Sequence, residues 1–183
     1  MSIHLILFRG LNVGGKNKVQ MASLRECLEQ KGFSNVSTYI ASGNVILESD
    51  SDPREIRALV EEALSENFDL DDEIIKILVL TREQIKAVID QKPKGFGEQP
   101  EKYHSDVIFL IGIDEAEAMS VFKPRDKVDK VWPGDGVIYS QRLSAQLTKS
   151  RLSRIVGTPE YKSMTIRNWN TTSKLFEIAN RLG

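Results

Sequence analysis

The sequence predicts an α+β protein built from two α/β plaits, each a βαββαβ unit. Three observations carry this expectation. The first part of the chain shows a β-α-β-β-α-β order of elements, a glycine- and proline-rich stretch follows, and the same order then recurs. The repeat lies in the order of elements, with no matching repeat of residues.

Each element has its own local reason. Ile3-His4-Leu5-Ile6-Leu7-Phe8 is short, apolar and rich in strand formers, and it ends at Arg9-Gly10. After a glycine-rich loop, Met21, Leu24 and Leu28 fit one face of a helix that Gly32 stops. Val36 to Ile40 alternates as a strand, Ser42-Gly43-Asn44 supplies a tight turn, and Val45-Ile46-Leu47 returns. Asp52-Pro53 opens a second helix, in which Ile56, Leu59, Val60, Ala63 and Leu64 recur at helical spacing. Ile74 to Leu80 closes the first unit as a strand, and Thr81-Arg82-Glu83-Gln84 reads as a capped helix start.

Lys94 to Pro100 is the linker candidate. Beyond it come a strand from Val107 to Ile111 and a short helix from Glu115 to Phe122. A hairpin follows around Pro133-Gly134-Asp135-Gly136, then a short helix from Leu152 to Val156, a strand at Met164-Thr165-Ile166 and a closing helix from Trp169. The expected organisation is therefore a subdomain over residues 1–81, a helix and linker over 82–103, and a second subdomain over 104–183.

Composition narrows the setting. Apolar residues make up 40% of the 183, enough for a real core, and no apolar run approaches the roughly 20 residues that span a bilayer. The start lacks the basic and long apolar regions of a signal peptide, and the single cysteine, Cys27, permits no internal disulfide. A soluble cytoplasmic protein with no membrane partner is expected. The net charge of −1 conceals an asymmetry: eleven acids between Glu48 and Glu73 face only Arg54 and Arg57, whereas seven bases between Gln141 and Phe176 face only Glu160. Such polarity steers anionic partners, or simply solvates two faces.

Right-handed crossovers suggest where function would gather. In each unit the loop after the first strand, the second-to-third hairpin and the end of the fourth strand are expected on one edge. That groups Arg9 to Lys18 with Ser42-Gly43-Asn44 and Thr81-Arg82. In the second unit it groups Gly112-Ile113-Asp114, Gly134-Asp135-Gly136 and Arg167-Asn168-Trp169.

The segment Gly10 to Lys16 matches G-x-x-x-x-G-K after a strand, but Asn17 stands where a phosphate-binding loop carries its magnesium-binding Ser or Thr. A nucleotide triphosphatase is not expected. Simpler physics remains: Gly14 and Gly15 let backbone amides turn toward an anion, and Arg9, Lys16 and Lys18 add charge. The alternative is that these glycines serve a tight connection and the lysines are solvated. Asn44 either completes the hairpin turn or orients a ligand with Ser42. Asn168 or Asn170 suits a cap of the last helix, and Arg167 is left open, binding of a phosphate or carboxylate beside the Trp169 indole being one reading of it.

Catalytic groups are sparse. His4 and His104 have no partner at metal spacing, Cys27 lies mid-helix, and no nucleophile or zinc motif is present, so neither metal nor cofactor is expected. Phe8, Tyr39, Phe109 and Tyr139 lie on expected strands without the spacing of an RNA-stacking motif.

Three segments together resemble one family: Arg9 to Val19, Thr38-Tyr39-Ile40-Ala41-Ser42-Gly43-Asn44-Val45, and Thr165-Ile166-Arg167-Asn168-Trp169-Asn170-Thr171. It is the uncharacterised bacterial family known as domain of unknown function 1697. The resemblance spans nearly the whole chain and implies two ferredoxin-like subdomains, with no activity, substrate or cofactor to carry over. The expected function is binding of a phosphate-bearing ligand, nucleic acid among them, by Arg9, Asn12, Gly14, Gly15, Lys16, Lys18, Ser42, Asn44, Arg167 and Asn168. The alternatives are an enzyme acting on a small anionic metabolite and a structural or protein-partner module.

Overall fold

The computed structural model describes residues 1–71 and 75–182. Asp72, Glu73 and Ile74, the last expected to begin a strand, lie outside the described residues. The elements are β1 (Ser2–Arg9), α1 (Met21–Gln30), β2 (Ser34–Thr38), β3 (Asn44–Ser49), α2 (Pro53–Asn67), β4 (Lys76–Thr81) and α3 (Arg82–Asp90). They continue with β5 (Tyr103–Leu110), α4 (Glu115–Met119), β6 (Asp129–Pro133), β7 (Val137–Leu143), β8 (Met164–Asn168) and α5 (Trp169–Leu182). Three 3₁₀ helices, Ser144–Lys149, Leu152–Gly157 and Pro159–Ser163, stand between β7 and β8 where a single short helix was expected.

The strands form two four-stranded sheets, in the orders β2-β3-β1-β4 and β6-β7-β5-β8, and every pairing is antiparallel. The chain divides into two compact units. Unit 1 runs from Met1 to Lys86 and takes in the chain from Leu175, and unit 2 is Ala87–Lys174. The contiguous division at 81 and 103 is thus replaced by one in which α5 starts in unit 2 and ends in unit 1.

Unit 1 follows from its apolar spacing. Ile6 and Phe8 of β1, Val45 and Leu47 of β3 and Ile77 of β4 share a sheet face and meet Leu24 and Leu28 of α1 and Ile56 and Val60 of α2. Each such fully buried aliphatic side chain contributes about 1.5–3 kcal/mol relative to exposure. The caps are those the sequence suggests. Asp52 accepts the amides of Arg54 and Glu55 at 2.8 and 3.0 Å, with Pro53 in the first turn. Thr81 and Gln84 exchange side-chain-to-backbone hydrogen bonds of 2.9 and 3.2 Å, a capping box at the start of α3.

Unit 2 buries two sets of side chains. Ile108, Leu110, Ile138 and Met164 on one face of its sheet meet Ala118, Phe122, Leu152 and Ile155. Tyr139 alternates to the other face and is met edge-on by Phe96, which also takes Trp132 and Trp169 edge-on. The phenol of Tyr139 donates to the Val88 carbonyl at 2.6 Å, so its buried hydroxyl is satisfied. Burial pushes that phenol up to about 12. Gly97 permits the approach of Trp169, since a Cβ there would stand 2.3 Å from the indole.

Candidate functional site

The loop after β1 is a small hairpin. Val13 and Lys16 form a bridge, and the Lys16 amide donates to the Val13 carbonyl at 3.0 Å. Gly14 and Gly15 hold its tip at φ +59° and +78° with open space around them, so backbone angle alone calls for glycine at both. An amide turned into the hairpin is not turned toward a phosphate. Helix α1 begins only at Met21, so the loop does not run from its glycines straight into a helix N-terminus. The G-x-x-x-x-G-K spacing here builds a turn rather than a nucleotide cradle.

Asn12 and Asn17 pin this hairpin to its surroundings. Asn12, at φ +55°, accepts from the Val19 amide at 2.7 Å and donates to the carbonyls of Val19 at 2.9 Å and Ala41 at 2.8 Å. The last bond crosses to the β2–β3 turn, where the Gly43 carbonyl accepts the Phe8 amide at 2.9 Å. Gly43 sits at φ +81°, and a Cβ there would stand 2.9 Å from that of Phe8. Asn44 is buried and donates to the Tyr39 carbonyl and the Ser42 hydroxyl at 2.9 and 3.1 Å. Asn12 and Asn44 are therefore clasps of the backbone.

The result is one edge that carries Arg9, Lys16, Lys18 and Ser42 together, with Val13 and Ile40 exposed beside them. Ile40 is held at φ +51°, a strained angle for a β-branched residue. Register adds a cation that sequence reading missed: Lys76 stands opposite Arg9 across β1 and β4. Only the pairing of β1 with β4 discloses it. Acidic chain reaches the same edge, because the Asp71 amide donates to Asn17 Oδ1 at 2.9 Å.

The expected convergence fails for the fourth strands. Thr81 pairs with His4, at the edge opposite Arg9. In unit 2 the edge does join Gly136 to the end of β5, through a 3.0 Å bond from the Leu110 amide, but Arg167 and Asn168 pair with Val107 and Asp106, away from it. The reason is direction. The third strand reverses, the fourth runs parallel to it, and so the fourth ends where the first begins.

Arg167 also departs from its expected role. It is 6% exposed, and its guanidinium donates to the Thr165 hydroxyl and the Ile166 carbonyl, both at 2.9 Å. Burial lowers its pKa to about 10, which leaves it charged at neutral pH but not offered to solvent. Asn168 accepts the Thr171 amide at 2.8 Å and caps α5. Both belong to unit 2, whereas the loop residues belong to unit 1. Phe8, Phe109 and Tyr139 are each 1% exposed and so form no stacking platform.

A family model described as "Protein of unknown function (DUF1697)" matches residues 1–139. A solved structure, that of the conserved bacterial protein SP0830 from Streptococcus pneumoniae, is similar over 97% of this chain and 98% of its own, at 25% identity and a TM-score of 0.81. No curated protein matches the sequence.

Proposed function

The chain belongs to the DUF1697 family, and on that premise we propose that it is a cytoplasmic binding protein for phosphate-bearing ligands, single-stranded nucleic acid first among them. The observation that carries this reading is the 2.8 Å hydrogen bond from Asn12 to Ala41, which fixes the basic hairpin against the β2–β3 turn. It holds Lys16 and Lys18 on an exposed edge with Arg9 and Lys76 close by in the chain fold. Val13 and Ile40, 62% and 49% exposed, offer apolar contact for sugar or base beside those charges. Each unit is read as a ferredoxin-like plait, which the two strand orders support. No helix among the described residues is long and apolar enough to cross a membrane.

Fluorescence anisotropy with labelled single-stranded RNA and DNA, repeated across salt concentrations, tests this. Affinity is expected to fall with salt, and Lys16→Ala with Lys18→Ala to lower the slope of log K against log salt by about 1.4, roughly 0.7 for each lost phosphate contact on a single strand. An affinity that ignores salt, or that survives both substitutions, would falsify the reading.

A further inference from the structure

Strand β5 begins beside the end of β8, because the two are antiparallel and Asp106 pairs with Asn168. Trp169 and Asn170 open α5 at that point. The chain before β5 passes next to them, where a Cβ at Gly97 would stand 2.3 Å from the indole. A cavity of about 120 Å³ lies where these three segments meet, all of them within unit 2. The volume is well below the roughly 300 Å³ at which pockets for drug-sized ligands begin, so one small ring is the largest body it takes.

One wall is set before any ligand arrives. Trp169 lines the cavity, Phe96 meets its ring edge-on at 5.4 Å, and Gly97 closes on it, so the indole is a fixed apolar surface. Polar groups with hydrogen-bonding capacity left over supply the rest. Ser105 accepts from Gln141 Nε2 at 3.2 Å and keeps its own proton to donate. Asn168 Oδ1 takes the Thr171 amide at 2.8 Å, which leaves Nδ2 as a donor in a fixed orientation. Asn170 is exposed and its side-chain amide makes no hydrogen bond among the described residues, so it offers a donor and an acceptor together.

Among the described residues no carboxylate, lysine or arginine lines this space. His104 does line it, but strand alternation places its imidazole with Asp106 and Arg142, on the sheet face opposite Tyr103 and Ser105. There His104 Nε2 stands 3.1 Å from Asp106 Oδ2. The Arg167 guanidinium, nearby in β8, donates to the Thr165 hydroxyl and the Ile166 carbonyl and does not line the cavity. The wall is therefore polar without being charged.

That character selects among ligands. An anion calls for a cationic side chain and a cation for a carboxylate, and the lining offers neither. A hydrocarbon would strip water from the amides and give nothing back. A sugar ring answers both parts of the wall: each hydroxyl donates and accepts, as the Asn170 amide does, and its C–H face packs on an indole. We propose that unit 2 holds a binding site for a single neutral sugar ring, laid against Trp169 with its hydroxyls at Ser105, Asn168 and Asn170. The site lies in unit 2, whereas the basic edge lies in unit 1, so neither reading rests on the other.

Titration of the intact protein with D-glucose, D-galactose and D-ribose, followed by NMR shift mapping, tests the site. Tetrahydropyran, a ring without hydroxyls, and inorganic phosphate serve as comparisons. At least one sugar is expected to bind saturably, with shifts centred on the amides of Ser105 and Asn170 and on the Trp169 indole N–H. Asn170→Ala, at an exposed position, is expected to weaken that binding about fivefold with an unchanged circular dichroism spectrum, the loss of about one neutral hydrogen bond. Ser105→Ala should act in the same direction. Uridine separates two sources of the ring: tighter binding than ribose, with ribose itself bound, places the sugar in a nucleoside, and weaker binding makes it a free one. The proposal is overturned if none of the three sugars binds at about 10 mM, or if tetrahydropyran or phosphate binds as well. Binding of uridine alone, binding indifferent to both substitutions, or shifts confined to unit 1 would overturn it equally.

Discussion

His4 shows how one side chain departs from the logic of its strand. It alternates with Ile6 and Phe8 on the face of β1 that meets the helices, and it is only 3% exposed. Among the described residues neither ring nitrogen has a hydrogen-bond partner. Burial lowers its pKa below the ordinary 6.5, against the opposing influence of the Ser49 backbone and of Glu83. The folded state therefore favours the neutral ring. The sign of the pH dependence follows: the unfolded chain takes up its proton near pH 6.5, so stability is full above that value and declines as pH falls through the folded pKa. His4→Leu should remove this decline, and at neutral pH it should stabilise by about 1 kcal/mol, because an unsatisfied buried polar group is replaced by an apolar one. Denaturant titrations of both proteins between about pH 7.5 and 5 check it. A gap between them that stays constant with pH would show that His4 does not titrate as described.

At the scale of elements, the basic hairpin depends on Asn12 more than on its lysines. Asn12→Ala removes three hydrogen bonds to backbone groups and leaves an alanine at φ +55°, where it is strained. The expected loss is about 1–3 kcal/mol, together with faster hydrogen exchange at the Val19 amide, which loses its side-chain acceptor. Nucleic-acid affinity should fall as well, although Lys16 and Lys18 remain. If affinity holds while Val19 exchanges freely, pinning of the hairpin is not what organises the edge. Most of these elements were legible from local signals. Asp52-Pro53, Thr81 with Gln84, and Gly14-Gly15 each announce a cap or a turn through chemistry within four residues. The polar row of unit 2 was not legible. Asp106 and Arg142 look like ordinary strand charges until the pairing of β5 with β7 sets Asp106 opposite Ser140 and His104 opposite Arg142.

Across the whole molecule, the order of elements was readable because hydrophobic period is local, whereas the direction of the fourth strands required following each reversal through the sheet. The placement of Thr81 and of Arg167 was missed for that reason. The division into units was hidden for a related one: nothing in the helical period of Trp169 to Leu182 says that the helix changes unit at Leu175. That change makes a distinct prediction. Leu175 and Ala179 are fully buried and count with unit 1, although nearly ninety residues of unit 2 separate them from its strands. Ala179→Asp would place a carboxylate at a fully buried position, which costs several kcal/mol. Its effect should appear first in the amides of β1, β3 and β4, whose hydrogen exchange should quicken well before that of β5, β7 and β8. Trp132 and Trp169 are the chain's two tryptophans and both lie in unit 2, so their fluorescence supplies an independent reading of that unit. The tryptophan signal is expected to stay native at denaturant concentrations where the exchange of β1 has already become fast. Loss of both signals together, or earlier exchange in β5, would mean that the end of α5 supports unit 2 instead.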